Sequence, residues 1–381
     1  MHRYLIWIVF VIMLGACSTP TATLPTSAPA PAAAPPAASS SPTPSIAASA
    51  TIQPSSTAEA TALPTIIPTM VPTATQLATA TLEPYPELAQ FTIEALRKRR
   101  YGQGQIEIVR VLEQAASFTR YLIAYPSDGL RITGMLNRPR GAGPFPVVIL
   151  NHGYYPLDVY QTGNGTRVAA DYLAARGFLT LSPDFRSHAG SDDAPNTFRA
   201  GHVIDTLNLI PLAQQLADAQ PGKLLMWGHS NGGAITAKAI TISDQIAAAL
   251  IYSPASSNIT EDYQFRAERW QARQNQPPGR RSGVIDTLTT EFPVTPDQAP
   301  DLYTRLSPLP YAADVDARVL IIWGDQDATV PRKWPEDVYT ALKNTGKDVE
   351  FTIYPGQPHS FTTAGNAQYL PQMVTFFQAA R

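Results

Sequence analysis

The stretch LLMWGHSNGGA, residues 224–234, is an apolar run that stops at a glycine, presents one hydroxyl and continues as small residues suited to a helix. A strand that passes directly into a helix through Gly-x-Ser-x-Gly holds its central serine, here Ser230, in a strained conformation with the hydroxyl pushed out above the sheet. Gly228 and Gly232 suit such a turn, because a β-carbon at either position would strike the neighbouring strand or helix. The helix starting near Asn231 adds its positive N-terminal field, and the Asn231 backbone amide can donate to an oxyanion beside Ser230. The pentapeptide alone is a modest signal; its strand–turn–helix setting gives it weight.

Working outward, the same rhythm recurs. PVVILN, GFLTLSPD, KLLMWG, AALIYSP, RVLIIWG and VEFTIYP are short, nearly all-apolar runs, as expected of strands covered on both faces. Between them lie helical patterns: RVAADYLAARG, GHVIDTLNLIPLAQQLA, GGAITAKAIT, PEDVYTALKNTG and AQYLPQMVTFFQAAR. Strands alternating with helices predict an α/β fold, a mostly parallel, twisted sheet flanked by helices. Upstream, QFTIEALRKRRYG reads as a short amphipathic helix, and IEIVRVLEQ, FTRYLIAY and LRITGMLN as antiparallel strands. Residues 256–308 break the rhythm. They are polar and rich in Arg, Gln and Pro, and read as a lid-like insertion over the strand ends, with Tyr263, Phe265 and Trp270 packing it.

A serine hydroxyl is a poor nucleophile at neutral pH unless a base takes its proton. Downstream of Ser230 the chain has a single histidine, His359, in YPGQPHSF just after the last predicted strand. An acid must then orient the imidazole. IIWGDQDATVP offers two, Asp325 beside the strand end and Asp327 two residues on, and spacing alone leaves both open.

Taken together, GHSNGG, GDQDATVP and PHSF, with NHGYY upstream and SPDFRSHAGSD between, resemble the α/β-hydrolase superfamily. Within it the chain is most similar to the catalytic domain of prolyl oligopeptidase-type serine peptidases and to dienelactone hydrolase-like enzymes, over residues 120–381. The resemblance implies a Ser230–Asp327–His359 triad, with the second aspartate of GDxDxxVP as the acid and Asp325 as a turn-stabilising neighbour. It implies a second oxyanion donor at the Tyr154 amide, after His152-Gly153, where the family often has another glycine. His152 is expected to brace that loop and His229 to pack within the elbow. Asp184 and Arg186 are expected to brace the site as an ion pair. His188 and His202 show no metal-ligand spacing, so neither metal nor cofactor is expected. The expected activity is that of a serine hydrolase, a peptidase acting on small peptides or, alternatively, a carboxylesterase acting on acyl or acetyl esters. The ordered segment before the hydrolase pattern is too short for the β-propeller of the prolyl oligopeptidases. A catalytically silent surface binding module is disfavoured by the presence of both nucleophile and histidine.

The chain ends differ sharply in composition. Of 381 residues 36 are proline, about twice the usual share, and the excess sits near the start. Residues 1–16 read as a signal peptide: an eleven-residue apolar stretch follows His2-Arg3, too short to span ~30 Å of hydrocarbon comfortably. Leu14-Gly15-Ala16-Cys17 resembles a bacterial lipobox, which implies lipidation at Cys17 and anchoring at the outer face of a cell membrane. Residues 17–84 read as a disordered Ser/Thr/Ala/Pro tether, and 85–381 as the hydrolase domain. As the sole cysteine, Cys17 excludes an internal disulfide, and a net charge of −2 gives no basis for nucleic-acid binding. A small molecule or short peptide is the expected partner.

Overall fold

Strand residues here divide by parity. Val147 and Ile149 join one buried cluster while Val148 and Leu150 join another; Leu224 and Met226 part from Leu225 and Trp227 in the same way, as do Val319 and Ile321 from Leu320 and Ile322. Side chains that alternate between two apolar layers define a sheet covered on both faces, which is why these runs carry no polar alternation. The computed structural model describes residues 84–274 and 288–380. The signal peptide, Cys17, the tether as far as residue 83, and 275–287 within the insertion lie outside the described residues.

A short helix α1 (Ile93–Arg97) precedes three antiparallel strands, β1 (Glu107–Gln114), β2 (Phe118–Ser127) and β3 (Leu130–Pro139). Alternation follows: β4 (Val147–Asn151), α2 (Arg167–Ala174), β5 (Leu179–Pro183), α3 (Ala200–Gln214), β6 (Leu224–His229), α4 (Asn231–Ile242) and β7 (Ile246–Tyr252). The insertion contributes α5 (Ile259–Gln274), α6 (Leu288–Glu291) and α7 (Pro300–Leu306), and the chain closes with β8 (Arg318–Gly324), α8 (Lys333–Asn344), β9 (Val349–Tyr354) and α9 (Thr363–Gln378). The nine strands form one mixed sheet in the order β1-β2-β3-β5-β4-β6-β7-β8-β9, parallel from β5 to β9. Residues of α3, α4 and α8 pack on one face, and residues of α2 and α9 on the other. No described helix is long and apolar enough to cross a membrane.

One strand differs from the expectation of complete cover. β9 is an edge strand, so its central residues Phe351, Thr352 and Ile353 stay partly exposed. β1 forms the opposite edge and is mostly exposed, with register shifts between Ile108 and Arg110 and between Val111 and Glu113. Two of the insertion's three aromatics pack against other rings: Tyr263 meets Phe292 and Tyr303, and Phe265 meets Trp334 edge-on with centroids 4.9 Å apart.

The strand order reverses direction around β4, whose neighbours are β5 and β6. In open α/β sheets the crevice beyond the carboxyl ends of the strands at such a reversal is the natural ligand site. The segments that follow β4, β6, β8 and β9 carry His152, Ser230, Asp327 and His359 respectively.

Candidate active site

Ser230 links β6 to α4 with φ +57° and ψ −119°, a left-handed conformation costing about 1–3 kcal/mol for a residue with a β-carbon. The surroundings over-determine it. Its N–H donates to Tyr252 O at 2.9 Å, and its carbonyl accepts from the amides of Gly233 (2.9 Å), Ala255 (3.0 Å) and Ala234 (3.2 Å). The flanking glycines are obligatory. A β-carbon on Gly228 would lie 2.1 Å from Gly232 O, and one on Gly232 would lie 1.9 Å from Asn151 O at the end of β4.

The two candidate acids separate clearly. Asp327 Oδ2 lies 2.8 Å from His359 Nδ1, while its Oδ1 accepts from the amides of Thr329 and Val330, both at 2.8 Å. Burial pushes the Asp327 carboxyl up, but the bonds from His359, Val330 and Thr329 win and hold it below the ordinary carboxylate range. Asp325 is exposed and instead accepts from the Gly356 amide at 2.6 Å, pinning the loop after β9. With Nδ1–H committed to Asp327, the proton-accepting lone pair of neutral His359 sits on Nε2.

His359 and the serine elbow meet through His229, next to Ser230. The His229 Nε2–H donates to His359 O at 2.9 Å, and the two rings are 4.7 Å apart. Ser230 Oγ and His359 Nε2 form no hydrogen bond in the structure; such bonds commonly tighten when substrate is bound. On the other side, a β-carbon on Gly153 would come within 3.3 Å of Ser230 Cβ, so the loop after β4 passes directly beside the hydroxyl. Among the described residues, neither the Asn231 nor the Tyr154 amide donates to a protein acceptor. Tyr154 itself is 56% exposed.

His152 anchors that loop. Its Nδ1 lies 2.7 Å from Gly153 O and its Nε2 3.1 Å from Asp184 O, and its ring stacks on Tyr160 at 4.4 Å. The expected Asp184–Arg186 ion pair is not formed. Arg186 turns to Asp205 on α3, with Nη2–Oδ1 at 2.8 Å and Nε–Oδ2 at 3.1 Å, while Asp184 accepts from the hydroxyls of Thr133, Thr162 and Tyr160. Phe185 between them has φ +63°, which sends the neighbouring side chains to different partners. Sequence reading missed Asp205, although a lone carboxylate in the apolar helix GHVIDTLNLI signals a buried partner. It also missed Tyr252, whose hydroxyl accepts from the Phe361 amide at 2.5 Å and fixes the segment after His359.

Three buried histidines, His152, His188 and His202, lie in a row beneath this loop, their rings 5.2 and 5.5 Å apart. Among the described residues no group of acidic, histidine or cysteine side chains could hold a metal. Burial pushes all three imidazoles below their usual range, His152 to about 3, and His229 likewise to about 4. Such groups leave stability untouched above about pH 6.5 and remove it as pH falls, because the unfolded chain takes up protons that the folded chain refuses. At pH 5 His152 and His229 each cost about 2 kcal/mol. Asp184, raised by burial, gives back a part as it protonates. We therefore expect the melting temperature to fall by roughly 5–10 °C between pH 7 and pH 5. A flat melting temperature across that window, read by calorimetry, contradicts the burial of these rings.

Two family models match the chain: the prolyl oligopeptidase family over residues 281–380 and the X-Pro dipeptidyl-peptidase (S15) family over 128–290. An uncharacterized peptidase, YtmA of Bacillus subtilis, is 23% identical over 260 residues, 68% of this chain and 93% of that protein. Esterase EstD of Thermotoga maritima is 25% identical over 247 residues, 60% of this chain and 57% of the esterase. Acetyl xylan esterase 1 from Thermoanaerobacterium superposes with a TM-score of 0.56 at 18% identity, covering 77% of this chain and 94% of that one. The chain is a serine hydrolase with an α/β-hydrolase fold. The hydrolase has relatives on both the peptidase and the esterase side, and its fold is common to both.

Proposed function

We propose that the hydrolase is a serine-type peptidase of the prolyl oligopeptidase kind, cleaving small peptides through an acyl-enzyme. The observation that carries the acyl-enzyme chemistry is the 2.8 Å His359–Asp327 bond beside a strained Ser230. Ser230 Oγ attacks the scissile carbonyl as His359 Nε2 takes its proton, and Asp327 stabilises the imidazolium. The Asn231 and Tyr154 amides hold the oxyanion. Collapse of the tetrahedral intermediate breaks the C–N bond, and His359 delivers its proton to the departing amine. Water then repeats the sequence and frees the acid. None of these steps calls for a cofactor. The Leu14–Cys17 motif supports an exported, lipid-anchored setting on a bacterial surface.

Amide cleavage is favoured by the two peptidase family matches, which between them run from residue 128 to 380. The likeness to EstD and to the acetyl xylan esterase favours the second reading, a carboxylesterase. A rate comparison on aminoacyl anilides, short peptides and short acyl esters separates the two. We expect measurable peptide and anilide cleavage. Ester preference by orders of magnitude, with no peptide cut, makes the protein an esterase.

A further inference from the structure

Next to Ser230, the face of α4 that carries Asn231, Ala234, Ile235 and Lys238 lines a cleft whose other walls include Arg199, Ser257 and Asp262. Its mouth is open to solvent and the room between its walls is narrow, about 20 Å³, enough for a single small polar group. Lys238 is a lone cation in the otherwise uncharged helix NGGAITAKAITI, and it is 3% exposed. Among the described residues its Nζ has no hydrogen-bond partner, and neither do Ser257 Oγ and Asn231 Oδ1, also buried. A buried ammonium without an acceptor is costly, so its retention at a cleft wall calls for a ligand.

The neighbouring charges do not supply one. Asp262 is shared by two guanidiniums, Arg199 Nη1 at 3.2 Å from both its oxygens and Arg266 Nε at 3.0 Å, and Arg266 also reaches Glu291 at 3.6 Å. Two carboxylates and two guanidiniums balance, which leaves Lys238 as the uncompensated charge. Lys238 sits two turns along α4 from Asn231, ~10 Å along the axis, and helical side chains slope back toward the N-terminus. The slope directs its ammonium toward the Ser230 end of the cleft. The Asn231 amide can turn its NH₂ inward, since its two ends are interchangeable in shape.

We infer that this cleft is an acyl-group subsite for a carboxylate, with the Lys238 ammonium as its counter-ion and the Ser257 hydroxyl as a second donor. The inference rests on the acyl-transfer reading above and narrows its substrates to acyl groups bearing an acid on a short chain. Burial lowers Lys238 to about 7, with Arg199 adding to the effect, and an anion in the cleft restores its charge. The same carboxylate is presented by a dicarboxylic half-ester or by an acidic residue on the acyl side of a peptide bond.

Two substrate pairs test the subsite and distinguish these sources: monoethyl succinate against ethyl butyrate, and N-acetyl-glutamyl against N-acetyl-glutaminyl p-nitroanilide. In at least one pair the wild type is expected to favour the acid by about 30-fold in kcat/KM, the size of one buried charge-assisted hydrogen bond. Lys238→Met, which keeps the length and removes the charge, is expected to bring that ratio close to one. A wild-type ratio near one in both pairs overturns the subsite without any mutant, and so does a Lys238→Met ratio equal to wild type. Turnover of the neutral members with no acid preference sinks the subsite alone. Failure on all four substrates, with no labelling by a fluorophosphonate, sinks the acyl-transfer reading and the subsite with it.

Discussion

Ser230→Ala lowers kcat by roughly 10⁶, to the residue left by oxyanion and binding contributions alone. The loss is that large because the serine and histidine act as one unit: with no hydroxyl to attack, the imidazole has no proton to take. The same variant takes no label from a fluorophosphonate that marks the wild type. Its fold is expected to survive. The substitution removes a single oxygen, and the bonds holding residue 230 run through its backbone amide and carbonyl. Alanine still carries the β-carbon that makes φ +57° costly, so the strain remains and the melting temperature changes little. Turnover within tenfold of wild type in the alanine variant removes Ser230 from the chemistry.

The second large effect separates neighbouring aspartates. Asp327→Asn lowers kcat by about 10⁴, because an amide facing His359 can leave the imidazole in the wrong tautomer, its proton on the nitrogen that should act as base. Asp325→Asn alters kcat by less than about tenfold, since that carboxylate holds the Gly356 amide and the neighbouring Gln326 side chain in a loop turn and does not reach His359. Side-by-side kinetics settle the assignment. Equal losses in the two variants, or a larger loss at Asp325, contradict the 2.8 Å contact as the working one.

Much of the fold and of the site is legible in the sequence. The elbow around Ser230 is legible because Gly228 and Gly232 leave no room for a β-carbon, a constraint written in residue type. The parallel strands are legible because a strand between two helical layers has no polar face to hide. β9 reads as an interior strand because VEFTIY is apolar enough for one, while its edge position depends on what lies beside it. The choice between Asp325 and Asp327 could not follow from spacing, since a shift of two residues in a tight loop decides which carboxylate turns inward. The Asp184–Arg186 pairing failed on a positive φ at Phe185, a conformation that composition does not announce. Lys238 carried a signal, a lone cation in a small-residue helix, but its meaning needed the cleft and the already neutralised Asp262 around it.

The spread of the reactive groups over the ends of β4, β6, β8 and β9 also sets when activity can begin. The proposed base lies beyond the final strand, so a growing or truncated polypeptide that stops before residue 359 has the nucleophile but nothing to activate it. Hydrolytic power is thereby withheld from every partial product of synthesis and arrives as the outermost parallel strand docks. Catalysis in this protein doubles as a report that folding has finished.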